Sequence, residues 1–528
     1  MAVYSFSDAT LPVSIARAQS GEVYFHNGDP DDTPGRWDGS GSATASGIVA
    51  PTTAPTVTAK TGSGISGEYT CYYRYVDEDG TPSNFSPSAV LTLDDNGGVD
   101  YADLVPSTNP RVSAIELWRN TAGQTITYYL DATVAKDATT GTSAKTDDDL
   151  RESEAIRFLT EDGYPNANRF TPPPAYMAVV KSYQDRMWFF KEGDTTSSAT
   201  EHRNLVMFSE AGEPESVPEC NTLELQEDGD NVVGGMVVGS YLYLLKRRHI
   251  YRLGTAGDPR LDASAMLVAE RGCLNDRCWC RVEGVAFVLD ENGVYVFDGN
   301  SVEPIDTPVR DYLLEDVNWS AEDTFSVAKS ADEEVVKVLL AFGTDTTPKN
   351  ALCYQYRLKQ WHLETHDQAM SGSGEAVVDG MSRMLASVGG NVVLMDVEAQ
   401  ENDDVTISYT ARFGEFRLLD YEPSNVRRVT IWFTPVTGER MTAKLYYNGS
   451  ATAATVDTAT DNENGVTTTA GSASHVIDLS RSSGCASFRF DAGMDADAAT
   501  HKTVMLELSG TAWHAIQLHR IEIDGVRV

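Results

Sequence analysis

Val237-Val238-Gly239-Ser240-Tyr241-Leu242-Tyr243-Leu244-Leu245 runs apolar into the charged corner Lys246-Arg247-Arg248-His249, and Ile250-Tyr251-Arg252-Leu253 runs back out to Gly254. Two strands and a turn are the simplest reading. The pattern returns as Val282 to Leu289, the corner Asp290-Glu291-Asn292-Gly293, and Val294-Tyr295-Val296-Phe297 ending at Asp298-Gly299. Asn292-Gly293 is the strongest hairpin signal in the chain and predicts a type I′ turn, which needs positive φ at both central residues. A hairpin recurring after about 40 residues is how a β-propeller blade reads in sequence. Tyr243 and Phe297 are expected on inner blade faces, where a charge would prevent folding.

Further units flank this pair. Upstream, Tyr176 to Val180 leads to Arg186-Met187-Trp188-Phe189-Phe190 and then Leu205-Val206-Met207-Phe208-Ser209. Downstream come Val335 to Phe342, Ala351-Leu352-Cys353-Tyr354-Gln355-Tyr356 with Trp361, and Met384 to Val388 followed by Val392-Val393-Leu394-Met395. Tyr354 and Trp361, either side of a turn, are expected to pack between neighbouring sheets. Five or six units are expected between 175 and 403.

Outside that span the pattern changes twice. Residues 1–55 read as an extended arm and linker that orders against a neighbour, because Asn27 to Gly47 is rich in Gly, Ser, Asp and Pro. Residues 56–146 read as an immunoglobulin-like sandwich of short alternating strands, among them Tyr69 to Val76 and the pair Ile115 to Arg119 and Ile126 to Leu130. Residues 147–174, from Asp147-Asp148-Asp149 to Pro172-Pro173-Pro174, form a connector. Residues 404–528, with period-two strands such as Arg427 to Phe433 and Val504 to Leu508, read as a C-terminal β-sandwich, with Ala451 to Ser474 as a long loop. The expected fold class is therefore all-β: an irregular β-propeller with an N-terminal immunoglobulin- or fibronectin-like sandwich and a C-terminal β-sandwich.

Composition narrows the function. Against 41 Lys and Arg stand 78 Asp and Glu, a net charge of −37, which disfavours tight attraction to DNA or an anionic membrane. No run of about 18 apolar residues is present to span a bilayer, and Met1 to Ser20 lacks the basic start and apolar core of a signal peptide. Seven cysteines, an odd number in 528 residues, read as reduced thiols of a protein assembled in cytoplasm.

Two stretches carry a family resemblance. Ile115 to Val134 resembles the fibronectin type III-like modules common in phage structural proteins. The succession Ser209-Glu210-Ala211-Gly212-Glu213-Pro214-Glu215, Gly229-Asp230, Gly234-Gly235, Lys246-Arg247-Arg248, Tyr251, Gly272-Cys273 and Glu291 to Gly299 resembles the propeller-type tail proteins of tailed bacteriophages, in particular the nozzle or tail-stabilisation proteins of short-tailed phages. The resemblance covers about 205–310 and the flanking blades loosely. It implies a virion structural protein of the tail hub: a homo-oligomeric, often hexameric, ring that closes or guides the DNA exit channel during ejection. Its implied partners are an adaptor or tail-tube protein above and fibre or needle proteins below. A surplus of carboxylates would let DNA pass without tight binding.

Chemistry-bearing residues are few. Lys246, Arg247, Arg248 and Arg252 form the one dense basic cluster and are the candidates for a channel or subunit contact; a solvated turn that discourages edge pairing is the plainer alternative. Cys273, Cys278 and Cys280 with His249 fit no usual zinc spacing and read as apolar packing. Asp77-Glu78-Asp79-Gly80 and Glu227-Asp228-Gly229-Asp230 lack calcium-loop spacing and read as turns. No nucleophile elbow, Walker loop or H-E-x-x-H helix is present, so no catalytic residue, cofactor or metal is expected. Two alternatives to the structural reading stay open, a receptor-binding tail-tip adhesin and a polysaccharide-degrading tail enzyme.

Overall fold

A computed structural model describes residues 5–7, 11–157, 168–192, 204–225, 229–255, 257–331, 333–378, 380–389, 391–395, 401–402, 405–406, 408–417, 424–454, 466–469, 472–489, 503–511 and 516–527. Six antiparallel sheets, each with its strands in chain order, make up the body. Sheet one holds Ser14–Arg17, Val23–His26, Gly35–Trp37 and Thr44–Ala45; sheet two holds Met177–Tyr183, Arg186–Glu192, Leu205–Phe208 and Thr222–Glu224. Sheet three is Val232–Val238, Tyr241–Lys246, Ile250–Gly254 and Ser264–Ala269, and sheet four is Trp279–Val282, Val285–Asp290, Gly293–Phe297 and Val302–Pro304. Sheet five is Ser326–Ser330, Val335–Leu340, Asn350–Gln355 and Gln360–Thr365; sheet six is Met370–Val378, Met381–Val388 and Asn391–Leu394.

In sheets two to five the last strand is the most open. Val232–Val238 and Tyr241–Lys246 are almost wholly buried, whereas Gln360–Thr365 and Val302–Pro304 lie mostly open. First strands abut one another: Ser14–Arg17 meets Met177–Tyr183, which meets Val232–Val238, and Trp279–Val282 meets Ser326–Ser330, which meets Met370–Val378. Four cores fill the gaps between successive sheets, one joining sheets one and two, one joining two and three, a large one through three, four and five, and one joining five and six. Sequential four-stranded sheets packed face to face with the first strand innermost are propeller blades. Tyr243 and Phe297 meet edge to face at 5.0 Å between sheets three and four, both buried as expected. Tyr354 and Trp361 pair across strands at 4.9 Å, and Trp361 Nε1 donates to Ile305 O of the neighbouring sheet.

Sheet one corrects the arm reading of residues 1–55. Its strands are two to four residues long and polar, so they carry little periodic signal. What orders them is the next sheet of the same chain, since Ala16, Ala18 and Tyr24 share a core with Met177, Phe189 and Met207. The two apolar runs of the central hairpins also each contain an extra turn. Val237 to Leu245 breaks at Gly239-Ser240, where Gly239 takes φ +59°, and Val282 to Leu289 breaks at Glu283-Gly284, both with positive φ. The Asn292-Gly293 hairpin is present, but only Gly293 has positive φ. Asp290 Oδ1 accepts from Asn292 N–H at 2.8 Å, an Asx turn that holds the corner in the ordinary rather than the mirror-image form.

The N-terminal sandwich is inserted between sheets one and two. A five-stranded sheet containing Ile65–Asp77, Ala89–Asn96, Val112–Arg119, Thr127–Ala135 and Ala155–Arg157 faces a three-stranded one of Thr56–Ala59, Val99–Ala102 and Gly141–Ser143. Tyr69, Cys71, Tyr73, Leu93, Tyr101, Ile115 and Leu117 fill the space between. The start of the expected connector belongs to this module. Thr146 and Asp149 form a capping box on the Asp147–Arg151 helix, and Ala155–Arg157 pairs with the Thr127–Ala135 strand. At the C-terminal end, Tyr409–Arg417, Thr503–Gly510, Arg440–Tyr447, His475–Asp478 and Val466–Thr468 form one sheet and Cys485–Arg489, Ser424–Phe433 and Leu518–Arg527 the other, with a shared apolar core. The middle of the expected 451–474 loop and residues 226–228 lie outside the described residues.

Candidate functional site

The basic turn between Tyr241–Lys246 and Ile250–Gly254 has its counter-charges built in. Lys246 is buried, its ammonium 5.6 Å from the Tyr251 ring centre. Arg247 lies in a two-pronged ion pair with Glu322, at 2.8 and 2.9 Å, and this pairing holds its guanidinium above the ordinary arginine value. Arg248 reaches Glu291 at 3.0 Å, and Arg252 stacks over Tyr241 at 5.0 Å. Asp230 organises the turn itself, accepting from the N–H groups of Arg247 and Arg248 and bonding His249 Nδ1 at 3.1 Å. The cluster is thus a corner clamped to sheet four and to the Trp319–Thr324 turn. Of its four cations, Arg248, two-thirds exposed, is the most open to an outside partner.

Cys273 and Cys278 are buried in the large central core, and Cys280 packs against it. Cys273 donates to Asn275 O, Cys278 donates to Phe325 O, and burial pushes the Cys278 thiol up to about 12. His249 is held by Asp230, so these residues fit the packing reading. All seven cysteines are free thiols. Asp77 shows the expected turn chemistry, Oδ1 accepting from Asp79 and Thr81 N–H at 3.1 and 2.7 Å.

Two arrangements escaped the sequence reading. The first joins the sandwich to the blades. Arg111 grips both Glu215 oxygens at 2.9 Å, reaches Asp77 Oδ2 at 2.9 Å, and donates to Ala45 O at 3.1 Å, while Arg36 of sheet one meets Glu215 at 3.4 Å and Glu22 at 3.3 Å. Arg111, Asp77 and Glu215 are each more than nine-tenths buried. The second lies on sheet five. Lys337, Cys353 and His362 stand side by side on three adjacent strands, and Glu364 and His366 follow His362 at alternate positions. Ligand atoms of Cys353, His362 and Glu364 all lie within 4.8 Å of one another. His362-x-Glu364-x-His366 is the signal that could have been read, because alternate residues of a strand share a face.

The C-terminal sandwich carries an open groove of about 590 Å³ lined by Trp432, Thr434, Ser482, Ser483, His519 and Arg520, with Arg520 over the Trp432 ring at 5.1 Å.

No family model and no curated protein matches the chain. Solved structures that resemble it include an exo-β-1,3-galactanase from Phanerochaete chrysosporium with galactose (8% identity, 89% of this chain and 100% of that one, TM-score 0.20). Others are BBS1N in complex with ARL6DN (10%, 74% and 93%, TM-score 0.28) and the dihydro-heme d1 dehydrogenase NirN (12%, 72% and 70%, TM-score 0.26). Likenesses this weak carry no argument about what the chain does. Sheet order and cores define the class: an all-β, multidomain, propeller-type protein. Among the described residues, no helix is long and apolar enough to cross a membrane.

Proposed function

We propose that the chain is a structural component of a bacteriophage tail, a nozzle-like subunit that assembles into a homo-oligomeric, hexameric ring, guides DNA through its channel and docks adaptor and fibre or needle proteins. The observation that carries the reading is the neutralised basic turn. The densest cationic cluster of a chain with net charge −37 has its arginines paired to Glu322 and Glu291 or stacked on Tyr241, and its lysine buried. A surface on which cations are already engaged has few counterions to release from passing phosphates, so DNA slides rather than binds. The Arg111 network supports the mechanical side, because it ties the inserted sandwich to sheets one and two through buried charge. Sheet six has three strands among the described residues and exposes Val377, Met381, Val392 and Leu394. A second copy of the chain would bury them.

The test is the mass and symmetry of the purified protein by light scattering and negative-stain averaging, alone and mixed with particles lacking their tail tip. A closed ring, or a monomer that forms one on the particle, is the expected outcome. A monomer that ignores particles and is retained on host cells would replace this reading with the receptor-binding one, which the Trp432 groove favours, since a groove lined by an aromatic ring, hydroxyls and an arginine suits a sugar.

A further inference from the structure

We propose that Cys353, His362, Glu364 and His366 form a binding site for a zinc-type divalent cation on sheet five. The inference stands apart from the tail reading and concerns a place where sequence patterns predicted no metal. Cys353 sits on the strand Asn350–Gln355 directly opposite His362 of Gln360–Thr365, and Glu364 follows on the same face. His366 continues the alternation, tied in place by its backbone N–H donating to Lys349 O at 2.7 Å. One thiol, two imidazoles and one carboxylate are the donor types that tetrahedral zinc takes, at bond lengths of about 2.0–2.3 Å. Such bonds set ligand atoms about 3.5 Å apart, so the three residues now within 4.8 Å need to close by little more than 1 Å.

One further observation points to a missing ligand. His366 Nε2 is a buried nitrogen without a hydrogen-bond partner, lying 3.6 Å from Glu364 Oε2, beyond hydrogen-bond reach. A buried polar atom in that state asks for a partner. Lys337 is the group a bound cation would have to displace, its ammonium lying 2.9 Å from Glu364 and 2.7 Å from Glu333. Glu333 lets it step aside, because once Glu364 turns to a metal the ammonium keeps a carboxylate of its own. A thiol holds such a cation as the thiolate, so uptake releases the Cys353 proton.

A bound cation would tie the outermost strand of sheet five to its neighbour, where Gln360–Thr365 is otherwise open to solvent. The experiment uses the full chain, stripped with chelator and titrated with Zn²⁺ against a chromophoric competitor, and with Co²⁺ for its thiolate charge-transfer absorption. Expected are one equivalent per chain with proton release, and a loss of affinity of at least about tenfold in His362→Gln and in His366→Gln, the low end of what even supporting residues contribute. Cys353→Ser should abolish the Co²⁺–thiolate band, Cys485→Ser should leave it unchanged, and Lys337→Gln should tighten binding by removing the competing charge. Because Cys353 is buried and its replacement could impair folding, His362→Gln, on the open edge strand, decides the matter. Absence of stoichiometric uptake, or uptake unaltered in the double histidine variant, would overturn the assignment.

Discussion

His26 joins sheets one and two at the scale of a single side chain. It lies in sheet one with its ring 5.2 Å from Phe189 of sheet two and Nδ1 3.3 Å from Met177 O. Burial pushes its imidazole down to about 4, only partly offset by the Met177 carbonyl. In the unfolded chain the same group protonates near 6.5, so between those values the unfolded state holds a proton that the folded state refuses. Stability from this residue is complete above about pH 6.5 and falls as pH drops toward 4, by up to about 3 kcal/mol. Melting temperature measured from pH 7 to 4.5 should drop, and His26→Phe should flatten the drop; an unchanged profile would show that sheet one does not bury this ring. Neither contact was legible beforehand. Val23–His26 is too short to show periodicity, and its partners lie more than 150 residues away. Tyr243 and Phe297 were legible because each sits in a long apolar run beside a turn, where hydrophobicity and strand length agree.

Elements were readable where they were apolar and misread where they were uniformly so. Val237 to Leu245 hides its Gly239-Ser240 turn because both flanking strands are buried on both faces, which removes the alternation that marks a turn's ends. A related backbone constraint operates at the basic corner. Gly272 packs directly against the backbone of Lys246 and Arg247, its neighbour Cys273 donates to Lys246 O at 2.9 Å, and its own carbonyl accepts from Tyr295 Oη at 2.6 Å. A methyl group there would collide with peptide atoms that cannot rotate away. Gly272→Ala should cost about 3 kcal/mol by forcing the corner off sheet four. At Gly239, where nothing lies within 4 Å and φ is +59°, alanine should cost about 1 kcal/mol from the left-handed conformation alone. Denaturant unfolding of the two variants checks the order; equal losses would mean that the corner is held by its ion pairs and not by the backbone approach.

On the scale of the whole molecule, the sequence announces separate modules but is silent on how they are joined. Ion pairs bridging 75 residues, as between Arg247 and Glu322, or 104, as between Arg111 and Glu215, leave no local pattern. The second of these determines whether the inserted sandwich moves with the blades. Its apolar core is its own, so without the charged joint it would remain folded and swing on its two chain connections. Arg111 donates four hydrogen bonds to Glu215, Asp77 and Ala45 O, and in this buried joint its removal would take the arginine from Asp77 and leave Glu215 with Arg36 alone. Breaking a buried pair from one side costs about 3–5 kcal/mol, more than the contact itself contributes when intact. Arg111→Met should therefore leave the core of each module folded while separating the thermal transition of the sandwich from that of the blades, and trypsin should cut faster between the sandwich and sheet two. Small-angle scattering should show a larger radius of gyration. A single transition with unaltered dimensions would mean that the Asn84 contacts to Phe170 and Thr171, at 2.8 and 3.0 Å, hold the joint without the charges. In the proposed ring, a rigid joint would transmit force from the sandwich to the blades, whereas a loose one would leave the sandwich to swing.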